Sequence, residues 1–359
     1  MKIAPNTYVP SLRWRMGEYQ ALSRLSDEAK TRVVPFVVVP EIEFDFEEWA
    51  PKKNVQDHVA PFPNRFRNKW GTRPAWIDVH PNIQAQLMDD RKLPIAHVFD
   101  ELRIVGNNAV PVTSLDGTPS INAAISAIVE ADGRGVGIRA RIEHIMKPGW
   151  KAAIEALIKD INVDPDQADL IVDLGAPAYE PYSDFADGLI AAMSTFDLSA
   201  FRSYVIVGSA FPQTIGLDKP GGDIARHDWL FYRTLRGKLD EKARIPNYGD
   251  YTIVNPEFTP RDMRLIKSGG RVIYTEPASW YVRKGGAFRD NPKQMHDHCK
   301  YILTSGKFRG VDFSDGDTYI EKCANETVGP SNQPFWKQVA ISHHIMHVLE
   351  DISKLGGAA

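Results

Sequence analysis

Cysteine is nearly missing from this chain. Cys299 and Cys323 are its two cysteines in 359 residues, too few for a disulfide framework, so a reducing cytoplasm is the expected location. No run of 18 apolar residues occurs, which argues against a transmembrane helix and a membrane partner. The opening Met1-Lys2-Ile3-Ala4-Pro5 has no apolar stretch of the signal-peptide kind. An excess of charge is absent too. At a net charge of -3 there is no overall attraction to nucleic acid or anionic lipid, so nucleic-acid contact would need a local patch. Phosphate-binding glycine loops are also lacking: Gly221-Gly222 is an isolated pair, and Gly133-Arg134-Gly135-Val136-Gly137 reads as a helix stop followed by strand entry. Gly208-Ser209-Ala210 lacks the second glycine of a nucleophile elbow.

What is present is patterned apolar material, with hydrophobic residues at 43%, enough for a sizeable core. Val136, Ile138 and Ala140 alternate with Gly137, Arg139 and Arg141, the period of a strand. Trp150, Ile154, Leu157, Ile158 and Ile161 recur at helical spacing, and Asp169-Leu170-Ile171-Val172-Asp173 is a short β-branched run. This βαβ unit repeats. Further strands are expected at 8–13, 33–39, 75–80, 110–114, 202–207 and 248–254, and 42–74 reads as a loop plus one helix. Eight strands alternating with helices predict an α/β fold, a (β/α)8 barrel of the TIM type. An open doubly wound sheet would share these local patterns, but no glycine-rich dinucleotide turn follows the first strand.

The C-terminal part leaves this rhythm. Segments 271–275 and 280–283 flank Glu276-Pro277-Ala278-Ser279 as a hairpin. A helix near 292–304 follows, then Ser314-Asp315-Gly316-Asp317 as a loop, then a last helix near 336–353. The expected division is a barrel over 1–258 and an extension over 259–359 packed on it, because no linker-like composition separates them.

Several segments taken together carry a resemblance. Tyr8-Val9-Pro10, Arg15-Met16-Gly17-Glu18, Ala21-Leu22, the stretch 35–40, Ile77-Asp78, Tyr248-Gly249-Asp250-Tyr251, Ile273-Tyr274-Thr275, Trp336 and His343-His344 make the chain similar to the beta family proteins. That resemblance implies a phage, prophage or mobile-element setting and a single integrated unit, and it brings no catalytic residues with it.

In a barrel the place to look for chemistry is the C-terminal end of each strand. Those positions hold Arg13, Arg15, Glu41, Asp78, His80, Arg139, Arg141, Asp173 and Tyr251. Strand alternation puts Arg139 and Arg141 on one face, and likewise Arg13 and Arg15. Guanidinium forks match phosphate and carboxylate oxygens, so an anionic, phosphorylated or nucleotide-like ligand is expected on Arg13, Arg15, His80, Arg139, Arg141 and Tyr251. Glu41, Asp78 and Asp173 are then the candidate acids or bases of a phosphoester hydrolase. With His80 they could also hold a divalent metal ion. The competing reading is that these acids and arginines neutralise one another as strand-end salt bridges. Glycerophosphodiester-type barrels place a His-Arg pair after the first strand and Glu-x-Asp after the second. Here those places hold Arg13-Trp14-Arg15 and Glu41-Ile42-Glu43, which separates this chain from that chemistry. A second function class is a non-catalytic recognition protein of phage–host conflict, whose barrel mouth captures a nucleotide-like ligand or a phage component and whose late hairpin and helices make the protein-facing surface.

Three further clusters have bland alternatives. His296, His298 and Cys299 lack a second paired zinc motif, and Met295, Cys299 and Ile302 put Cys299 in a core. His343, His344 and His347 fall on a helix whose apolar face is Ile341, Ile345, Val348, Leu349 and Ile352, with His344 and His347 expected on its flanks. Phe62, Phe66 and Trp70 interleave with Arg65, Arg67 and Lys69 as in single-strand binders, or simply as in an amphipathic connecting helix.

Overall fold

The computed structural model describes residues 2–257, 262 and 268–356. Eight parallel strands close into a barrel. They are β1 (Val9–Leu12), β2 (Phe36–Val39), β3 (Ala75–Val79), β4 (Ala109–Ser114), β5 (Val136–Arg141), β6 (Ala168–Gly175), β7 (Ser203–Gly208) and β8 (Asn247–Asp250). Each strand pairs with its neighbours in sequence, and β8 pairs with β1. Proline inside a closed sheet costs a ladder hydrogen bond, and two strands resolve this in the same way. Pro10 lies where β1 passes from pairing with β8 to pairing with β2. Pro111 lies where β4 passes from β3 to β5.

Alternation sends Val9, Phe36, Val38, Trp76, Val110, Val112, Ile171, Val205, Val207 and Tyr251 into one inner cluster. The other faces of the strands pack on the helical shell. The inner cluster is closed by an ionic group at each end. At the N-terminal end the buried Asp169 accepts from Trp76 Nε1 at 2.8 Å and pairs with Arg202 at 2.6 Å. Arg139 closes the other end.

The shell is completed by the last helix, Gln333–Gly356. It lies against Met16–Ser23, where a Cβ on Gly17 would stand 3.1 Å from Lys337 Cβ. On its other side Arg226 and Arg236, at and within helix His227–Lys238, reach Asp351 and the Leu355 carbonyl at 2.8 and 3.0 Å. Between β8 and this helix the chain inserts strands Gly269–Thr275 and Ser279–Ala287 and helices Gln294–Thr304 and Asp315–Ala324.

Several local expectations change. The hairpin gains a third strand, Gly221–Ala225, which the sequence reading did not expect. Of the expected loop Ser314–Asp317, residues Asp315, Gly316 and Asp317 instead begin helix Asp315–Ala324, and the Ser314 hydroxyl accepts from the Asp317 amide as its N-cap. Residues 42–74 hold two helices, Val55–Val59 and Phe62–Trp70, and a short pairing of Phe44–Asp45 with Ala50–Pro51. In Phe62–Trp70 the aromatics Phe62, Phe66 and Trp70 are buried, so this is a connecting helix. The eighth strand stops at Asp250, and Thr252 takes a left-handed φ of 58°. His344 and His347 are not on a flank; with His343 they are buried.

Candidate site at the barrel mouth

The strand-end residues form three separate knots and not one convergent rim. At the axis, Arg139 pairs with Asp173 at 2.6 Å and Asp78 at 3.1 Å, and its guanidinium lies 5.3 Å over Phe36. Tyr251 donates to Asp173 at 2.7 Å and accepts from Arg139 at 3.2 Å. Burial disfavours the arginine charge, but Asp173, Tyr251 and Asp78 outweigh it and raise the Arg139 pKa. Burial also raises Asp78, against the pull of Arg139. The hollow above this knot holds about 20 Å³, room for one water and no substrate.

Arg15 forms the second knot, with Glu41 at 2.7 Å and Glu43 at 3.1 Å. His80 Nε2 stands 3.7 Å from the second Glu41 oxygen. Burial lowers the His80 pKa against the pull of Glu41, and Nδ1 accepts from the Asn82 amide. Arg13 lies in the field of Glu41 and Tyr251, with burial lowering its pKa. It does not share a strand face with Arg15: Trp14 between them has φ 48°, outside the strand region, so alternation ends at Leu12. In the third knot Arg141 reaches Asp116 at 3.2 Å, beside His144 at 2.9 Å from the same carboxylate.

The expected metal set of Glu41, Asp78, Asp173 and His80 does not assemble. Asp78 and Asp173 face a guanidinium, and Glu41 faces another. Among the described residues no three His, Cys, Asp or Glu side chains group as a metal site, and this includes the region of His296, His298 and Cys299.

The large cavity lies to one side of the axis and measures about 800 Å³. Its floor is the loops after β1, β2, β7 and β8, and its roof is strand Gly269–Thr275 with the start of the last helix. Arg15 and Glu41 are the expected site residues that reach it. Arg15, Lys52, Lys53, Arg65, Arg271 and Lys337 line it against the carboxylates Glu41, Glu43 and Glu257, together with Trp14, Tyr19, Phe211, Phe288 and Trp336. A chain of net charge -3 thus holds a locally basic, aromatic hollow.

Two of the lining cations, Arg271 and Lys53, differ from the others. Arg15, Lys52 and Lys337 have carboxylate partners, and Arg65 lies 5.7 Å over the Tyr19 ring. Arg271 is exposed at the cleft, and among the described residues it has no carboxylate partner. The sequence carried a usable signal for its direction. Ile273 packs on the barrel core and Thr275 bonds His344, whereas Val272 and Tyr274 face the inserted helices. Two-residue alternation therefore puts Arg271 on the barrel side.

Fold and site define a (β/α)8 barrel whose mouth is partly roofed by an insertion between its last strand and last helix. The chain belongs to the Beta protein family, whose model matches residues 8–350. A comparison with curated proteins returns no match. Among the described residues no helix is long and apolar enough to cross a membrane.

Proposed function

We propose that this barrel binds an anionic, phosphorylated or nucleotide-like molecule in the large hollow of its mouth. The observation that carries the reading is Arg271, a guanidinium without a carboxylate partner among the described residues, in a cavity of about 800 Å³ where cations outnumber carboxylates. A hollow of this size suits a small organic ligand. Its aromatic wall offers a base or ring somewhere to pack, and the basic residues offer forks and point charges to the anion.

Two forms of the proposal differ in chemistry. In the hydrolytic form Glu41 is the acid that lines the hollow, and a phosphoester is cleaved. In the recognition form the ligand is held without turnover, in a phage-conflict setting, and the insertion is the face offered to a protein partner. The pairing of Asp78 and Asp173 with Arg139 favours the recognition form, because those acids serve the barrel axis.

Isothermal titration with adenosine 5′-monophosphate tests the shared claim. Binding is expected in the wild type, and Arg271→Ala should weaken it about 10- to 100-fold, the worth of one charged hydrogen-bonding group. A wild-type chain that gives no heat at millimolar nucleotide and no rise in Tm, or an Arg271→Ala variant that binds as well as wild type, refutes it. Turnover of a phosphoester by the wild type that Glu41→Gln abolishes would select the hydrolytic form.

A further inference from the structure

Two cations of the large hollow have no carboxylate partner among the described residues, and they stand on opposite walls. Arg271 belongs to the roof strand Gly269–Thr275, and Lys53 to the floor, in the loop after β2. The carboxylates of the hollow are engaged elsewhere. Glu41 and Glu43 hold Arg15 at 2.7 and 3.1 Å, Glu43 also holds Lys52 at 3.1 Å, and Glu257 accepts from the Gln213 side-chain amide at 2.7 Å.

The backbone fixes each of these residues and leaves its charged group unengaged. Before Lys53, the Lys52 amide donates to the Glu43 carbonyl at 2.8 Å; after it, Asn54 caps helix Val55–Val59 by accepting from the Asp57 amide at 2.7 Å. Lys53 is thus held on both sides. In the roof, Gly269 faces Ala287 while Arg271 faces Lys284, so the partner strand carries one extra residue, a bulge beside Arg271. Like charges directly opposite one another destabilise a sheet. Lys284 is relieved by donating to the Leu217 carbonyl at 2.5 Å, and among the described residues no such contact serves Arg271.

We propose that Arg271 and Lys53 form a two-point clamp for a diphosphate group, with one phosphoryl on each wall. The proposal rests on the hollow being the ligand site, and it narrows the ligand from a phosphorylated molecule to a nucleoside diphosphate. A guanidinium offers a planar fork and an ammonium a point charge, and both serve phosphoryl oxygens. A single phosphate satisfies one wall. In a hollow of about 800 Å³ the other cation then stays without an anion, whereas a second phosphoryl reaches across to it. The aromatic wall is left for the base. Such a ligand also ties the insertion to the barrel, because its two phosphoryl groups are held by different parts of the fold.

Isothermal titration of the whole chain in magnesium-free buffer tests the clamp with adenosine 5′-diphosphate, adenosine 5′-monophosphate and inorganic pyrophosphate. The nucleoside diphosphate is expected to bind about 10- to 100-fold more tightly than the monophosphate, the worth of one further charge-assisted contact. Lys53→Ala, a change at an exposed position, should bring the diphosphate down to the affinity of the monophosphate and leave the monophosphate unchanged, whereas Arg271→Ala should weaken both. Pyrophosphate should bind more weakly than the nucleoside diphosphate, because it leaves the aromatic wall unused; equal affinity overturns the nucleoside assignment. Equal affinity of the wild type for the two nucleotides overturns the clamp without recourse to any variant, and so does a Lys53→Ala variant that keeps the preference. No heat with any of the three ligands removes the ligand reading and the clamp together, whereas monophosphate binding with no gain from the second phosphoryl removes the clamp alone.

Discussion

His344 Nε2 stands 3.0 Å from the Asp250 carboxylate with both side chains fully buried, and this contact ties the last helix of the chain to the strand that closes the barrel. Asp250 also accepts from the Tyr8 hydroxyl and from the Thr252 amide, so three segments distant in sequence meet on one carboxylate. Nearby, His343 bonds Asp317 at 2.8 Å and the Thr275 carbonyl at 2.9 Å, which fastens the insertion to the same helix.

Removing one side of a buried pair strands the other, at a cost of about 3–5 kcal/mol. His344→Ala should therefore lower the unfolding free energy by about that amount in urea titrations. A chain ending at residue 258, which lacks the helix altogether, should show no cooperative unfolding transition. A truncated chain that melts cooperatively would mean that the last helix is an accessory to the barrel.

The same region sets a pH response. Burial and nearby cations push the His347 pKa down to about 2, so below about 6.5 the unfolded chain takes up a proton that the folded chain does not, and stability falls with falling pH. Burial and the neighbouring Asp250 push Asp228 up to about 7. Between about 3.9 and 7 the folded chain keeps a proton that the unfolded one has lost, so this group loses stability as pH rises. The two slopes, each about 1.4 kcal/mol per pH unit, oppose one another from about pH 4 to 6.5. Asp228→Asn should leave a stability that climbs with pH over that window, and His347→Gln one that declines. Urea unfolding at several pH values reads both, and parallel profiles in the two variants would contradict the assignment.

Arg139 gives a test of structure against ligand binding. Because it neutralises Asp173 and Asp78 over the apolar barrel interior, Arg139→Ala should cost about 3–5 kcal/mol. Adding Asp173→Asn should recover part of that loss, since one stranded charge is removed. If Arg139→Ala keeps its wild-type Tm and loses nucleotide binding, the residue is a ligand clamp and not a closure of the axis.

The strand-end positions were legible because they follow from local order. Period-two alternation and βαβ repetition put Asp78, Arg139 and Asp173 at one end of a barrel before any contact was known. Their partners were not legible. Arg13 and Arg15 were expected on one face, but a left-handed Trp14 ends the alternation, and backbone dihedrals of that kind leave no compositional trace when the residue is not glycine. Arg271 belonged to an expected hairpin, yet nothing in its neighbours said that the hairpin would lie over the mouth.

The sequence alone determined the class of fold: short β-branched runs, helices of matching length between them, and a mouth edged with opposite charges. These are local properties, set by hydrophobic period and turn chemistry over a few residues at a time. Which charges cancel, where an open hollow remains, and that the final helix completes the shell were decided only in three dimensions. Each of those outcomes depends on distances between residues tens to hundreds of positions apart, and electrostatic pairing and packing act on distance in space, not on separation along the chain.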